Sequence, residues 1–159
     1  MSCQVASACR ALSPACAALR RIPGLTELLA IVDESGLRKI AVTNAPPANV
    51  ALMLASLNLQ DYFENVVYGE QCERAKPHPE PYLEGMRQLG ITASQAIVFE
   101  DSPTGIAAGV AAGVPVIALG TTQDPTLLTD AGAALVVPDY FAVVRMLRMQ
   151  QGVALRASG

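Results

Sequence analysis

Residues 98–113 read V-F-E-D-S-P-T-G-I-A-A-G-V-A-A-G. An apolar lead-in, Ala96 to Phe99, runs into two adjacent carboxylates, Glu100 and Asp101, and then into Ser102-Pro103, a helix start followed by glycines four apart. That order describes a strand ending in acid, then a helix. In an open parallel α/β sheet, ligands sit beyond the carboxyl ends of the strands, which is where Glu100 and Asp101 fall. Two readings stay open for this stretch alone: the acids face a ligand, or Asp101 or Ser102 only caps the helix. Gly105, Gly109 and Gly113 predict a helix backbone lying close to a sheet.

Working outward, Leu25, Leu28, Leu29 and Val32 fall at helical spacing between Pro23-Gly24 and Ser35-Gly36. Lys39 to Thr43 is a short β-branched run, and Ala45-Pro46-Pro47 starts a second helix carrying Val50, Met53, Leu54 and Leu57. Asn65 to Gly69 predicts a strand, Glu70 to Pro79 a loop, and Glu80 to Leu89 a helix stopped by Gly90. The last strands are expected at Ala96–Phe99, Val114–Ala118 and Ala134–Val137, with a short helix capped by Asp124-Pro125 and a final one around Ala142–Met149. Alternating strands and helices mean βαβ units and a parallel sheet with helices on its faces. The expected organisation is an Ala-rich segment over residues 1–21, one core domain over 22–150, and a flexible tail over 151–159.

Composition narrows the classes. With 52% hydrophobic residues, 16% charged residues and a net charge of -3, the chain carries no basic stripe, which argues against a nucleic-acid partner. The longest uncharged run, Ser102 to Gln123, is interrupted by Pro103, Pro115 and several glycines, and its apolar part is too short for a membrane span. Cys3, Cys9, Cys16 and Cys72 have no metal-ligand spacing and read as reduced thiols. Residues 1–21 contain no acid and three arginines. They suit either a short helix in a cytoplasmic protein or a transit peptide to an organelle such as a plastid or mitochondrion.

Lining up the strand ends gathers Thr43-Asn44, the Lys76 loop and Glu100-Asp101 at one edge of the sheet. A phosphate needs hydrogen-bond donors and positive charge, which a threonine hydroxyl, backbone N–H groups and a lysine supply. Mg²⁺ needs hard oxygen ligands, commonly one or two carboxylates with water and substrate. Thr43, Lys76, Glu100 and Asp101 together match a Mg²⁺-phosphate site. Taken singly, Thr43 also reads as a helix cap and Lys76 as a solvated lysine in a turn stiffened by Pro77 and Pro79. His78, lone between prolines, receives no role.

Three motifs, A-V-T-N at Ala41–Asn44, A-K-P-H-P at Ala75–Pro79 and V-F-E-D-S-P-T-G at Val98–Gly105, resemble those of the haloacid dehalogenase-like hydrolases, in the branch of sugar-phosphate phosphatases and beta-phosphoglucomutase. The resemblance runs from about Pro23 to Tyr140. It implies a Rossmann-like three-layer α/β sandwich with a parallel sheet, and Mg²⁺-dependent hydrolysis or transfer of a phosphate monoester on a small phosphorylated metabolite. By the same resemblance Thr43 binds the phosphoryl oxygens with Asn44 beside it, Lys76 is catalytic and neutralises nucleophile and phosphate, and Glu100 and Asp101 hold Mg²⁺.

The family also carries a nucleophilic Asp in a D-x-D-x-[TS] motif on a first, central strand, followed by a cap. No two aspartates of this sequence are spaced as D-x-D. The expectation is a truncated core without that strand, in which two half-sheets either close up or leave an apolar groove. A central strand with four or five buried side chains contributes about 6 to 15 kcal/mol, against a net domain stability of about 5 to 15 kcal/mol. Little or no turnover is therefore expected, with pairing to a second copy or to a full-length homologue through the open sheet. The rival reading is a non-catalytic phosphate- or Mg²⁺-binding regulator.

Overall fold

The computed structural model describes residues 19–157. All but the end of the Ala-rich segment, with Cys3, Cys9 and Cys16, lies outside the described residues. Along the chain come α1 (Leu25–Glu34), β1 (Ala41–Thr43), α2 (Pro47–Ser56), β2 (Val66–Tyr68), α3 (Glu80–Leu89), β3 (Val98–Glu100), α4 (Pro103–Ala111), β4 (Val116–Leu119), α5 (Pro125–Asp130), β5 (Leu135–Val137) and α6 (Tyr140–Ala157). Every strand pair is parallel. The expected α/β layering is observed.

Two cores sit on opposite faces of the strands. Val98, Val116 and Ala118 pack with Tyr82 of α3, Ile106 and Ala108 of α4 and Leu128 of α5. Leu119 and Val137 pack on the other face with Leu28 of α1 and Val143 and Val144 of α6. Alternate residues of one strand thus feed different layers, as a pleated strand requires. No helix among the described residues is long and apolar enough to cross a membrane.

The strands form two separate sheets, β1-β2 and β3-β4-β5. The Ala41 amide donates to Asn65 O, so odd residues of β1 address β2 and Val42 addresses the opposite edge. The Val98 amide donates to Pro115 O, so Phe99 addresses the free edge of β3 in the same way. Both edges border one cleft. Phe99, 36% exposed, lines the cleft, and Ile97, 62% exposed, immediately precedes β3. Of the two outcomes expected for the sheet, the open one is found, although its carboxyl end is lined by polar groups as well as apolar ones.

Several boundaries differ from the sequence expectation for local reasons. The third strand begins at Val98 rather than Ala96, because a 3-10 turn at Ala93–Gln95, closed by a Thr92–Gln95 capping box, holds the chain until Ala96. Glu100 therefore belongs to the strand. The fourth begins at Val116 because Gly113, at φ +76°, ends α4 in the left-handed region and the Val114 amide returns to Gly109 O. Gly113 is thus a helix stop, whereas Gly109 makes the close approach expected of the series, against Val116. The last helix runs to Ala157, past Gly152, through the stretch read as a tail.

Candidate active site

The carboxyl ends of β1 and β3 open into a cleft of about 470 Å³, whose lining includes Thr43, Asn44, Lys76, Glu100, Asp101, Ser102, Phe99 and Tyr140. All five residues singled out by sequence therefore meet in one place. They meet in different ways.

Lys76 comes from the loop before α3 and is held by its backbone. The Asn44 side chain receives the Lys76 amide at 3.2 Å and donates its own amide to the Lys76 carbonyl at 3.1 Å. Gly69 permits this, since a Cβ there would overlap the Asn44 amide oxygen. Asn44 thus anchors the lysine loop, a role its place beside Thr43 did not suggest. The Lys76 ammonium donates to Val42 O at 2.9 Å and to Glu100 Oε1 at 2.5 Å, spanning the opening between the two sheets.

Glu100 is engaged on both oxygens. Oε1 also accepts the Tyr82 hydroxyl at 2.7 Å, while Oε2 accepts the Asp101 amide at 3.2 Å and the Ser102 hydroxyl at 3.1 Å. Lys76 and Glu100 side chains are only 7% and 10% exposed, so this is a buried ion pair. Burial alone would push the Glu100 carboxyl up, but the Lys76 charge and the bonds from Lys76, Tyr82 and the Asp101 amide hold it below the usual carboxylate range. The Tyr82 hydroxyl is pushed up by burial and then by the Glu100 charge, so it remains a donor. Ser102 caps α4 by accepting the Gly105 amide at 3.1 Å, and Gly105 has no side chain to displace the Glu100 carboxylate lying against it. The helix start is therefore already occupied by Glu100 and Ser102.

Besides Lys76, two groups keep capacity for a ligand. Thr43 Oγ1 accepts the Ala45 amide at 3.0 Å, which leaves its hydroxyl proton to donate; α2 is instead entered through Pro46 without a side-chain cap. The Asp101 carboxylate is exposed in the cleft and makes no hydrogen bond among the described residues. Tyr140 borders the cleft with its ring edge-on to Phe99, its hydroxyl pushed up to about 12 by burial and by the charges of Asp101 and Glu100. His78 is turned to the Glu80 amide, accepting it at 3.3 Å, and is not part of the lining.

Sequence reasoning missed Tyr82 and the contact of Gly105 with Glu100. Tyr82 sits in the first turn of α3, six residues after Lys76, and helical spacing marks it only as a core position. The run T-G after Ser102-Pro103 held the other signal, read there as helix-to-sheet packing.

A family model described as haloacid dehalogenase-like hydrolase matches residues 10–119. The phosphorylated carbohydrates phosphatase of Thermotoga maritima is 34% identical over 124 residues, covering 76% of this chain and 57% of that protein. The phosphoglycolate phosphatase of Rhodospirillum rubrum is 35% identical over 120 residues, covering 74% and 49%. The chain spans about half the length of the curated relatives it matches. Among solved structures, a HAD family hydrolase from Deinococcus radiodurans with bound phosphate and sodium superposes with a TM-score of 0.73 at 30% identity, over 82% of this chain and 60% of that one. The chain belongs to the haloacid dehalogenase-like hydrolases.

Proposed function

We propose that the cleft receives the phosphate of a small phosphorylated metabolite, such as a sugar phosphate, between the Thr43 hydroxyl and the Lys76 ammonium. The parent activity of such a site is Mg²⁺-dependent hydrolysis of a phosphate monoester or transfer of its phosphoryl group. The observation that carries this reading is the convergence of Thr43, Lys76 and Asp101 from three separate chain positions on one cleft at the carboxyl ends of β1 and β3. The relatives' own names, phosphatases of phosphorylated carbohydrates and of phosphoglycolate, support the substrate class.

The donor set suits Mg²⁺ in its substrate-assisted form. Asp101 offers one unencumbered hard carboxylate, and a bound phosphate would supply further oxygens. Among the described residues no group of three or more His, Cys, Asp or Glu could hold a metal. Cation and phosphate binding should therefore reinforce one another. When bound, Mg²⁺ would offset phosphate charge; Thr43 orients the phosphate by its hydroxyl, and Lys76 adds the fixed positive charge.

Nucleophilic chemistry needs a carboxylate free to attack. Glu100 is committed to four hydrogen bonds, Asp101 is the carboxylate this reading reserves for the cation, and the sequence holds no D-x-D pair. A polypeptide of residues 1–159 alone should thus bind phosphate with little or no turnover. The free edges of β1 and β3 favour a second component of the reading: pairing with another chain, a full-length homologue or a second copy, through the open sheet. Calorimetric titration with inorganic phosphate, with and without MgCl₂, tests the site. Binding lost in Lys76→Met supports it, and no binding by the wild-type chain overturns it. An aryl phosphate assay separates the readings further: turnover in a mixture with a full-length homologue above the homologue's own rate supports the half-site, and phosphate binding that adds no turnover supports a regulatory phosphate binder.

A further inference from the structure

We infer that Tyr82 is a positioning residue for Lys76, acting through Glu100, and that Glu100 is the hub of this network and not a metal ligand. The inference deepens the phosphate reading given above and rests on it for its binding readout.

Tyr82 meets Lys76 in two ways. Its hydroxyl shares Glu100 Oε1 with the ammonium, at 2.7 and 2.5 Å, and its ring lies under the same ammonium at 4.6 Å from the centroid. The second contact is a cation–π interaction with a buried partner. Tyr82 itself is 7% exposed and fixed in the core formed by α3, α4 and the β3-β4-β5 sheet, so its hydroxyl is a rigid donor. Two of the three ammonium protons are thereby assigned, to Val42 O and Glu100 Oε1, leaving one for a ligand oxygen.

Glu100 is saturated by the same network. Two donors on each oxygen fill the acceptor capacity of a carboxylate, and coordinating a cation would require displacing at least one of Lys76, Tyr82, Asp101 N–H or Ser102 O–H. Displacing Lys76, Tyr82 or Ser102 would leave a partly buried donor without a partner, which is costly. The neighbouring Asp101 carboxylate makes no such bond. Two adjacent acids that look interchangeable in sequence therefore divide the work: Glu100 aims the lysine, and Asp101 is the carboxylate left to hold a cation.

The Tyr82 hydroxyl also tempers the hold of Glu100 on Lys76. Without it Oε1 is a stronger acceptor, so Lys76 is drawn toward Glu100 and away from a ligand. Tyr82→Phe, which keeps the ring and the packing, should weaken inorganic phosphate binding about fivefold, the effect of one hydrogen bond. It should leave the circular dichroism spectrum and Mg²⁺ affinity unchanged. Asp101→Asn should instead remove the Mg²⁺-dependent increment. Unchanged phosphate affinity in Tyr82→Phe would overturn the positioning role, and loss of Mg²⁺ binding in a folded Glu100→Gln variant would overturn the hub assignment. If the wild-type chain binds no phosphate, the functional reading fails but the network is still tested by the ¹H–¹⁵N signal of the Lys76 ammonium. A signal that moves downfield and exchanges more slowly in Tyr82→Phe supports the inference, and one indifferent to the substitution overturns it.

Discussion

The carboxylate of Glu100 occupies the volume that any side chain at Gly105 would need. Gly105 is in the first turn of α4, where alanine would otherwise gain about 1 kcal/mol in helix propensity. Overlap with a buried, fully bonded carboxylate outweighs that gain, since overpacking costs about 1 to 3 kcal/mol and here also disturbs the Lys76 pair. Gly105→Ala should therefore destabilise the chain by about 2 kcal/mol in urea denaturation. A neutral or stabilising result would show that Glu100 is not seated against the helix start.

Lys76 and Glu100 should be strongly coupled. Removing one member of a buried pair leaves the other uncompensated, at a cost of about 3 kcal/mol. Lys76→Met and Glu100→Gln should each lose that much stability, and the double variant should lose clearly less than their sum. The double-mutant cycle isolates the pairwise contribution. Additive effects would mean that water in the cleft screens the pair.

Much of this arrangement was legible in the sequence because it is local. Ser102-Pro103 and Asp124-Pro125 cap helices through bonds to Gly105 and Thr126, two or three residues away, and Gly90 ends α3 in the left-handed region. The gathering of Thr43, Glu100 and Asp101 follows from parallel topology alone, whereas Lys76 arrives on a loop that Asn44 holds. What escaped was long-range. Asn44 bonds Lys76 across 32 residues and Tyr82 bonds Glu100 across 18, and no periodicity encodes either distance. Glycines spaced by four look equivalent in sequence, yet Gly105 meets a carboxylate, Gly109 meets Val116 and Gly113 ends the helix.

The Glu100 carboxyl should also set part of the acid sensitivity. Its folded value lies below its ordinary value of 4.5, so the pair's contribution is complete above that pH and is lost as pH falls through the depressed folded value. Urea midpoints should therefore fall as pH is lowered from about 4.5, and the fall should be shallower in Glu100→Gln. Glu84, held down to about 2 by Arg87 and Gln88, titrates in the same direction, but it lies on the surface, where such pairs contribute little. Identical pH profiles for the wild-type and Glu100→Gln chains would remove Glu100 from this account.

The two sheets guard their edges unequally. On the outer edge of β2 the Val66 amide is taken by the Asn65 side chain at 2.8 Å, and the Tyr68 carbonyl by the Cys72 thiol at 3.7 Å. At the opening between β1 and β3, Val42 O is met by Lys76, but Phe99 addresses the gap with its backbone, beside the exposed Ile97. An unprotected, apolar edge is a template for pairing with another chain, and a lysine placed there opposes it. Ile97→Lys should cost little stability at a position 62% exposed, while shifting the chain toward monomer. Sedimentation velocity should show the wild-type chain self-associating at concentrations where Ile97→Lys does not. A wild-type chain that stays monomeric and unfolds in one sharp transition well above body temperature would show that the open edges neither recruit a partner nor weaken the fold.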